Sequence, residues 1–349
     1  MTAERYDVNL GIASWEIDFF SRIRSLKERA LEVYMATEQG RRSAQISLIS
    51  SVAQAYLSQA ADRETLKLAQ STLANQQSSY DLIRRQCQVG IATELDLRQA
   101  QTQVDAARRD IARYTQLVAQ TRNVLDFLAG SPVPRALLAE NLTDVKPLRE
   151  ISPGTSSEVL LHRPDIIAAE HQLKATNANI GAARAALFPR ISLTASVGTA
   201  SDELSGLFDA GSGTWNFAPQ ITAPIFDARA WAALDVTKAD KKIALTQYEK
   251  AIQTAFKEVA DALAVRGTID EQVSAQQSLV DATAETYRLS NLRYTTGIDS
   301  YLSVLVSQRS LYVSERILIV IRLAQLANQV KLYAVLGGGG QTAMTPTEE

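Results

Sequence analysis

The sequence predicts a mainly α-helical protein made of two copies of one unit, each joining a long helical hairpin to amphipathic β-strands. Three observations indicate this fold class: an internal repeat, two long segments almost free of helix breakers, and short segments with a two-residue period. The repeat is clearest where VGIATELDLRQAQ, around Gly90, returns 207 positions later as TGIDSYLSVLVSQ, around Gly297. So long a period is not that of a solenoid and indicates a duplicated half-domain.

The same shift aligns residues along most of the first copy without a gap. Equivalent pairs include Phe19 with Phe226, Arg22 with Arg229, Tyr80 with Tyr287 and Gly130 with Gly337. The second copy also has a helix and a strand between Ser157 and Thr199, whose counterparts would lie before residue 1. Either the two copies differ there or the chain is N-terminally truncated; we favour truncation, which would place any targeting signal upstream.

Each copy contains a segment long enough for an extended helix. Residues 21–86 contain no proline and one glycine, Gly40, and residues 228–293 contain only Gly267. At about 1.5 Å per residue, such a helix is roughly 100 Å long. Apolar residues recur every seven positions, as in Leu66, Leu73, Tyr80 and Cys87 and, after Gly90, in Leu97, Val104, Ile111, Val118 and Leu125. A strict seven-residue repeat favours coiled-coil packing, so turns at Gly90 and Gly297 predict two antiparallel helical hairpins.

Three segments alternate with a two-residue period, which predicts β-strands. They cover residues 6–20, 190–199 and 214–226, and the last two are joined by a polar, glycine-containing loop. About ten residues with one apolar and one polar or small face is the pattern of a membrane-barrel strand. An ordinary half-buried strand has the same alternation, so the pattern alone leaves both interpretations open.

These patterns divide the chain into four parts. The first repeat, 1–130, has a strand at 6–20 and a helical hairpin at 21–130, and a proline-rich linker follows at 131–156. The second repeat, 157–337, has a helix at 157–187, strands at 190–199 and 214–226, and a hairpin at 228–336. We expect the C-terminal tail, 338–349, to be disordered.

Composition excludes several classes of function. A net charge of −2 leaves no basic footprint for nucleic acid. One cysteine, Cys87, excludes an intrachain disulfide framework, and His162 and His171 alone make no convincing metal site. No phosphate-binding loop, dinucleotide fingerprint or nucleophile elbow is present, so we predict neither a cofactor nor an enzyme. No uninterrupted apolar run approaches the roughly 20 residues of a membrane helix.

One long segment carries a family resemblance. The stretch LLHRPDIIAAEHQLKATNANIGAARAALFPRISLTASVG, residues 160–198, closely resembles the signature of the outer-membrane efflux factors. These are the TolC-like and especially the OprM-like, NodT-type channels of Gram-negative tripartite pumps. Many OprM-like members are lipoproteins, and a lipidated cysteine, if present, would lie upstream. The sequences after Gly90 and Gly297 match the two hairpin tips of that family, so the resemblance covers nearly the whole chain.

The resemblance implies a homotrimer. Each subunit would add four strands to one shared twelve-stranded β-barrel in the cell outer membrane, and the helices would form a periplasmic α-barrel. This chain has three of the four strands. Amphipathic strands cannot remain open in lipid, which agrees with closure between chains. In the family, the linker and tail form a belt around the tunnel; Arg163, Pro164 and Asp165 would begin a helix there, with Pro164 in its first turn.

The implied function is a passive exit duct for drugs or other small molecules, in which a periplasmic adaptor links the duct to an energy-supplying inner-membrane transporter of the RND type. A soluble coiled-coil scaffold or adaptor-like protein is the alternative, because heptads and hairpins fit both. Amphipathic strands favour the channel. Multidrug export is favoured over metal-ion export, because no Met or His cluster indicates the handling of soft metals.

The resemblance also places a periplasmic gate just after the second tip, at Leu302, Ser303 and Val306. Family members often carry aspartate at the position of Val306, and TolC-like members also at Ser303. Both aspartates are absent here, so we predict an apolar constriction that closes by side-chain bulk and dewetting. The alternative is that Leu302 and Val306 pack between helices.

A second implied feature is a lock between the tips. Tyr294 and Asp96 match a tyrosine–aspartate hydrogen bond of TolC-like channels, and Asp299 replaces the arginine that assists there. Two plain alternatives remain: residues 93–96 have the pattern of a capping box, and Asp299 or Ser300 is suited to cap the following helix. Tyr294 also falls on a heptad seam, where packing alone would explain it.

Overall fold

The structure, a computed structural model, describes residues 4–146 and 161–338. Its helices and strands, in chain order, are β1 (Tyr6–Ile17), α1 (Arg22–Gln88), α2 (Glu94–Ala129), α3 (Pro164–Ala185), β2 (Arg190–Ser201), β3 (Gly213–Thr222), α4 (Ala228–Thr295) and α5 (Tyr301–Val335). Short 3₁₀ turns follow α2 at Arg135–Leu137 and Leu142–Asp144, and another, Leu204–Gly206, lies between β2 and β3. The mainly helical class with a few strands is as predicted.

Two compact units share the long helices. One comprises Met1–Arg42 and Pro164–Gln253, and the other comprises Ser43–Arg163 and Thr254–Glu349. The division cuts through α1 and α4, so each unit contains parts of both sequence copies. The division of the chain by repeats, with its linker belt, therefore stays a prediction. The tail after 338 lies outside the described residues.

In the first unit, β1, β2 and β3 form an antiparallel sheet in that order. Its pairing register aligns apolar residues across the strands, as in the row of Leu10, Val197 and Trp215. Side chains on this apolar face are largely exposed to the surroundings of the chain. The opposite face carries small and polar residues, such as the row of Gly11, Ser196 and Asn216. The predicted alternation is confirmed, and its apolar face has no covering layer within the described residues.

A β-bulge in β1 keeps the apolar face continuous. The partners step from Ile12 opposite Ala195 to Trp15 opposite Leu193, so one extra residue is inserted in β1. Ser14, at the bulge, has a left-handed φ of 57°, and its N–H donates to Thr194 Oγ1 at 3.1 Å. Sequence reasoning missed this bulge. The sequence does carry a sign of the bulge, because the apolar residues occupy even-numbered positions up to residue 12 and odd-numbered positions from residue 15.

Two predicted strands are shorter than expected. β1 ends at Ile17 rather than at 20, and β3 ends at Thr222 rather than at 226. Both end where their shared neighbour β2 begins, at Arg190, directly after Pro189. Beyond that point neither strand has a partner. In addition, Asp18 accepts hydrogen bonds from the N–H groups of Ile23 and Arg24, in the first turn of α1.

In the second unit the helices pack largely through small residues. Two of the predicted heptad positions, Val104 and Leu125, are buried. Leu66 and Leu73 are only half-buried, and the buried positions beside them on α1 are Ala69, Thr72 and Gln76. The heptad period is therefore correct, but this part of the α1 seam is one made of small and polar side chains.

Candidate functional site at the hairpin tips

The two hairpins turn through the same backbone motif. Gly90 and Gly297 have left-handed φ values of 80° and 77°. The Gly90 N–H donates to Cys87 O and the Ile91 N–H to Gln86 O, at 3.1 and 2.9 Å. In the second copy Gly297 and Ile298 donate to the equivalent carbonyls, both at 2.9 Å. This is the Schellman pattern of helix ends, which needs a residue that tolerates positive φ.

Behind the turns, the second unit has an aromatic core that includes residues of both hairpins. Its buried members are Ile83, Ala100, Tyr301, Val304 and Leu305. Partly buried tyrosines pack on it at positions 80, 287 and 294. The rings of Tyr294 and Tyr301 lie 5.4 Å apart between centroids, tilted by 58°. Both tips are therefore anchored in one cluster, here called the tip cluster.

The three gate positions lie in the first two turns of α5, beside the tip cluster. Leu302 is 53% exposed and Val306 is 63% exposed, whereas Val304 and Leu305 are buried. Ser303 is half-buried. Packing between helices therefore does not account for Leu302 and Val306 within one chain. The buried neighbours fix the face of α5 on which both side chains project.

That exposed face continues along α5 as an apolar stripe that is interrupted by Arg309 and Ser310, which are also exposed. Its members, spaced three or four residues apart for most of its length, are Leu302, Val306, Val313, Ile317 and Val320. By length and composition alone, α5 is also the one described helix that resembles a membrane span. Its other faces bury Val304, Leu305 and Ile319 in clusters with other helices.

The structure does not bring Tyr294 and Asp96 into a hydrogen bond. The Tyr294 hydroxyl donates to Gln86 Oε1 at 2.8 Å, which joins the two hairpins. Asp96 instead closes a capping box at the start of α2: its carboxylate accepts from the Thr93 N–H at 3.1 Å, and its own N–H donates to Thr93 Oγ1 at 3.1 Å. Burial raises the pKa of Tyr294, and the nearby Asp96 charge adds to the rise. Sequence reasoning missed Gln86, which has no signal beyond its place next to the turn.

Asp299 forms an ion pair within the second tip. Its carboxylate accepts from Arg293 Nε at 2.6 Å and Nη2 at 3.0 Å, and this hydrogen bonding lowers the pKa of Asp299. Ser300 occupies the N-cap of α5, but its side chain makes no capping bond. The expected cap at this helix start is therefore wrong for both residues. In the first copy the equivalents of Arg293 and Asp299 are Gln86 and Ala92, so only the second tip carries this pair.

Arg163, Pro164 and Asp165 lie at the start of α3, and the place of this start in a belt stays a prediction. Pro164 is the first helical residue, and the Ile166 N–H donates to Asp165 Oδ1 at 3.0 Å. Arg163 is buried in the second unit, where its guanidinium donates to Val335 O and to Glu258 Oε2, both at 2.8 Å. A carbonyl oxygen in the last turn of α5 thus accepts a hydrogen bond from a cationic side chain, which is a favourable arrangement at a helix C-terminus.

Residues 4–146 and 161–338 contain no group of three or more His, Cys, Asp or Glu side chains placed to hold a metal ion. His171 is instead paired with Glu32, with Nδ1 and Oε2 2.6 Å apart.

Comparisons with known proteins agree with this fold. Residues 1–131 and 155–338 match the family model of the outer membrane efflux protein. The chain belongs to that family. It is 49% identical over 336 residues to the probable efflux pump outer membrane protein TtgC of Pseudomonas putida, covering 96% of this chain and 69% of the relative. It is 42% identical to the cation efflux system protein CusC of Escherichia coli, covering 97% and 74%.

Solved structures give the same result. A membrane protein of Pseudomonas aeruginosa has a TM-score of 0.90 at 42% identity, with 96% of this chain and 76% of that chain covered. The open-state MtrE outer membrane channel of Neisseria gonorrhoeae has a TM-score of 0.88 at 42% identity, with the same coverage. The chain is therefore an outer-membrane exit duct of an efflux pump, with strands in a membrane β-barrel and helices in a periplasmic barrel. The soluble scaffold is excluded.

Proposed function

We propose that the chain acts as a homotrimeric passive duct that closes at its periplasmic end through an apolar ring formed by Leu302 and Val306, with Ser303 between them. The observation that carries this proposal is the exposure of both apolar side chains beside a buried tip cluster. In water, exposed apolar side chains are costly unless they meet one another or an apolar partner. Three copies meeting at an axis would exclude water and ions from the gap.

Two contacts hold the closed arrangement in this proposal. The Tyr294–Gln86 hydrogen bond ties one hairpin to the other, and the Arg293–Asp299 pair stiffens the second tip. Gly90 and Gly297 set the path of both turns. Asp96 acts through the capping box that begins α2. Opening would require that the two hairpins separate at the tips.

The duct also needs partners, for which we propose a periplasmic adaptor and an inner-membrane RND-type transporter. Val89, Ile91 and Leu95 are apolar and exposed at the first tip, which suits docking of an adaptor segment there. The belt helix start at Arg163–Asp165 would support the tunnel wall. We assign the chain no catalytic activity.

For cargo we propose apolar organic molecules rather than metal ions. Relatives near 49% identity are named as toluene and antibiotic efflux proteins, whereas CusC, at 42%, is named as a cation efflux protein. The apolar stripe on α5 favours the first class. Its apolar members offer no oxygen or sulfur ligands to an ion.

The gate is tested by replacing Leu302 and Val306 with serine, singly and together. We expect higher single-channel conductance in planar bilayers and greater vancomycin sensitivity of cells, because a polar ring no longer dewets. Val320→Ser is the matched control: Val320 is 61% exposed on the same face of α5, but lies about 21 Å further along the helix. Unchanged conductance and unchanged sensitivity in the gate variants would contradict the proposed ring.

A further inference from the structure

A charged cluster lies on the polar face of the sheet, at the end where the helices begin. Glu16 accepts hydrogen bonds from Arg22 Nε at 2.7 Å and pairs with Arg190 Nε at 2.8 Å. Glu16 stands opposite Ser192, which stands opposite Gln220. This polar row is next to the apolar row that contains Ile17, on the other face of the sheet. The cluster therefore belongs to the polar face.

The cluster has an excess of positive charge. One carboxylate, Glu16, is shared by two guanidinium groups, Arg22 and Arg190. Two further acids at this end of the sheet, Asp18 and Asp227, are each paired with an arginine of their own, Arg24 and Arg229. One positive charge per chain is left uncompensated within this group of residues.

Arg190 is the more exposed of the two arginines that pair with Glu16, because the side chain of Arg22 is only 30% exposed. The side chain of Glu16 is 9% exposed, whereas that of Arg190 is 53% exposed. Arg190 contacts Glu16 through Nε. Towards the far end of the sheet, the polar face is neutral, as at Thr194, Ser196 and Asn216. The first charged side chain met on that face of β1 is Asp7.

In a membrane β-barrel the apolar face meets lipid and the polar face lines the lumen. We propose that Arg190 contributes, from every subunit, to a ring of positive charge at the helix-proximal end of the β-barrel. This ring favours the passage of anionic solutes and slows cations. It lies on a different unit from the tip gate and acts on selectivity rather than on closure.

The ring acts within a limited range. A barrel of about twelve strands leaves a wide lumen, and the Debye length is about 10 Å at 0.1 M salt and about 3 Å at 1 M. The effect of Arg190 should therefore be clear at low ionic strength and fade at high ionic strength. A purely steric narrowing at the same place would not depend on salt in this way.

The test is the reversal potential of the purified trimer in planar bilayers under a KCl gradient. We expect Arg190→Gln to lower the anion-to-cation permeability ratio about twofold near 0.1 M salt and to have little effect near 1 M. Arg190→Lys retains the charge and should retain most of the selectivity. An unchanged ratio at low salt in Arg190→Gln would overturn the inference.

Glu16→Gln distinguishes an electrostatic role of the cluster from a purely structural one. It removes the carboxylate and leaves both guanidinium groups, so we expect a shift towards anions, opposite in sign to that of Arg190→Gln. If the cluster only braces the strand against the helix, both variants should shift selectivity in the same direction or not at all. Failure of the gate proposal would appear as unchanged conductance in the serine variants at 302 and 306, which this experiment does not use.

Discussion

The hydroxyl of Tyr294, in the second hairpin, donates a hydrogen bond of 2.8 Å to the side-chain carbonyl of Gln86, in the first. The two residues lie on opposite sides of the duplication, and by the repeat Tyr294 is the equivalent of Cys87, the neighbour of Gln86. The bond therefore joins nearly equivalent points of the two copies. It is a direct polar tie between the hairpins at their tips.

Removing this tie should loosen the closed tips. Tyr294→Phe deletes the hydroxyl and retains the ring, and we expect trimer stability to fall by about 1 kcal/mol, the net value of a hydrogen bond. Vancomycin sensitivity should rise in the same strain. Tyr287→Phe is the matched control, because Tyr287 packs in the same tip cluster. Burial alone raises the pKa of its hydroxyl, without a contribution from a hydrogen bond, so its removal tests the loss of a buried hydroxyl without the loss of the tie. Equal effects of the two substitutions would show that the tie is not specific.

Replacement by alanine should destabilise the protein at the turn glycines and stabilise it at the helix glycines. Gly90→Ala and Gly297→Ala force a side chain into positive φ, which costs about 1 kcal/mol or more at each tip. Gly40→Ala and Gly267→Ala lie inside helices with open space around the added methyl group, so they should stabilise by roughly 0.5–1 kcal/mol. Thermal unfolding of the four variants measures both effects. Stabilisation by either tip variant would contradict the geometry of the turns.

The ion pair of the second tip predicts an acid-sensitive closure. Since hydrogen bonding to Arg293 lowers the pKa of Asp299, the folded tip prefers the ionised carboxylate. The pair therefore contributes fully above the ordinary aspartate pKa of about 3.9 and is lost as pH falls through the lower folded value. Leak conductance should rise over that acidic range in the wild type. In Asp299→Asn it should be higher already at neutral pH and vary less with acid, whereas a parallel rise in both proteins would argue against this role.

Tyr301 should ionise at a higher pH than an ordinary tyrosine. Burial raises its pKa to about 12, against a hydrogen bond with Ser79 that lowers it. The folded state thus retains the proton between about pH 10 and 12 while the unfolded chain releases it, so stability should fall over this range. Subtracting the ultraviolet titration of Tyr301→Phe from that of the wild type should leave a component centred near pH 12. A component centred near pH 10 would mean that Tyr301 is accessible to solvent.

Much of the fold follows from local patterns that the sequence displays directly. Two-residue alternation predicts all three described strands, and seven-residue spacing with turns at Gly90 and Gly297 predicts both hairpins. The strand ends were overestimated because they depend on where the partner strand begins, at Arg190. The bulge at Ser14 depends on the register with β2, although the change of parity between Ile12 and Trp15 is visible in the sequence.

The site was less predictable, because its contacts are tertiary. The capping box at Asp96 is local, and the sequence showed it as an alternative to the lock. The bond from Tyr294 to Gln86 and the pair of Arg293 with Asp299 depend on how side chains meet at the tips. The Glu16–Arg190 pair joins residues 174 positions apart, so the pair cannot be predicted from sequence spacing.

The most direct test of the apolar gate is modification of a cysteine placed at Val306 in a Cys87→Ala background. If Val306 lines the constriction, single-channel current through Val306→Cys should fall in discrete steps, one per subunit, as a bulky thiol reagent is added. Val320→Cys, on the same face of α5, should be labelled with little loss of current. Labelling of Val306→Cys without any change in current would show that this side chain lies away from the narrowest point, and would contradict the account.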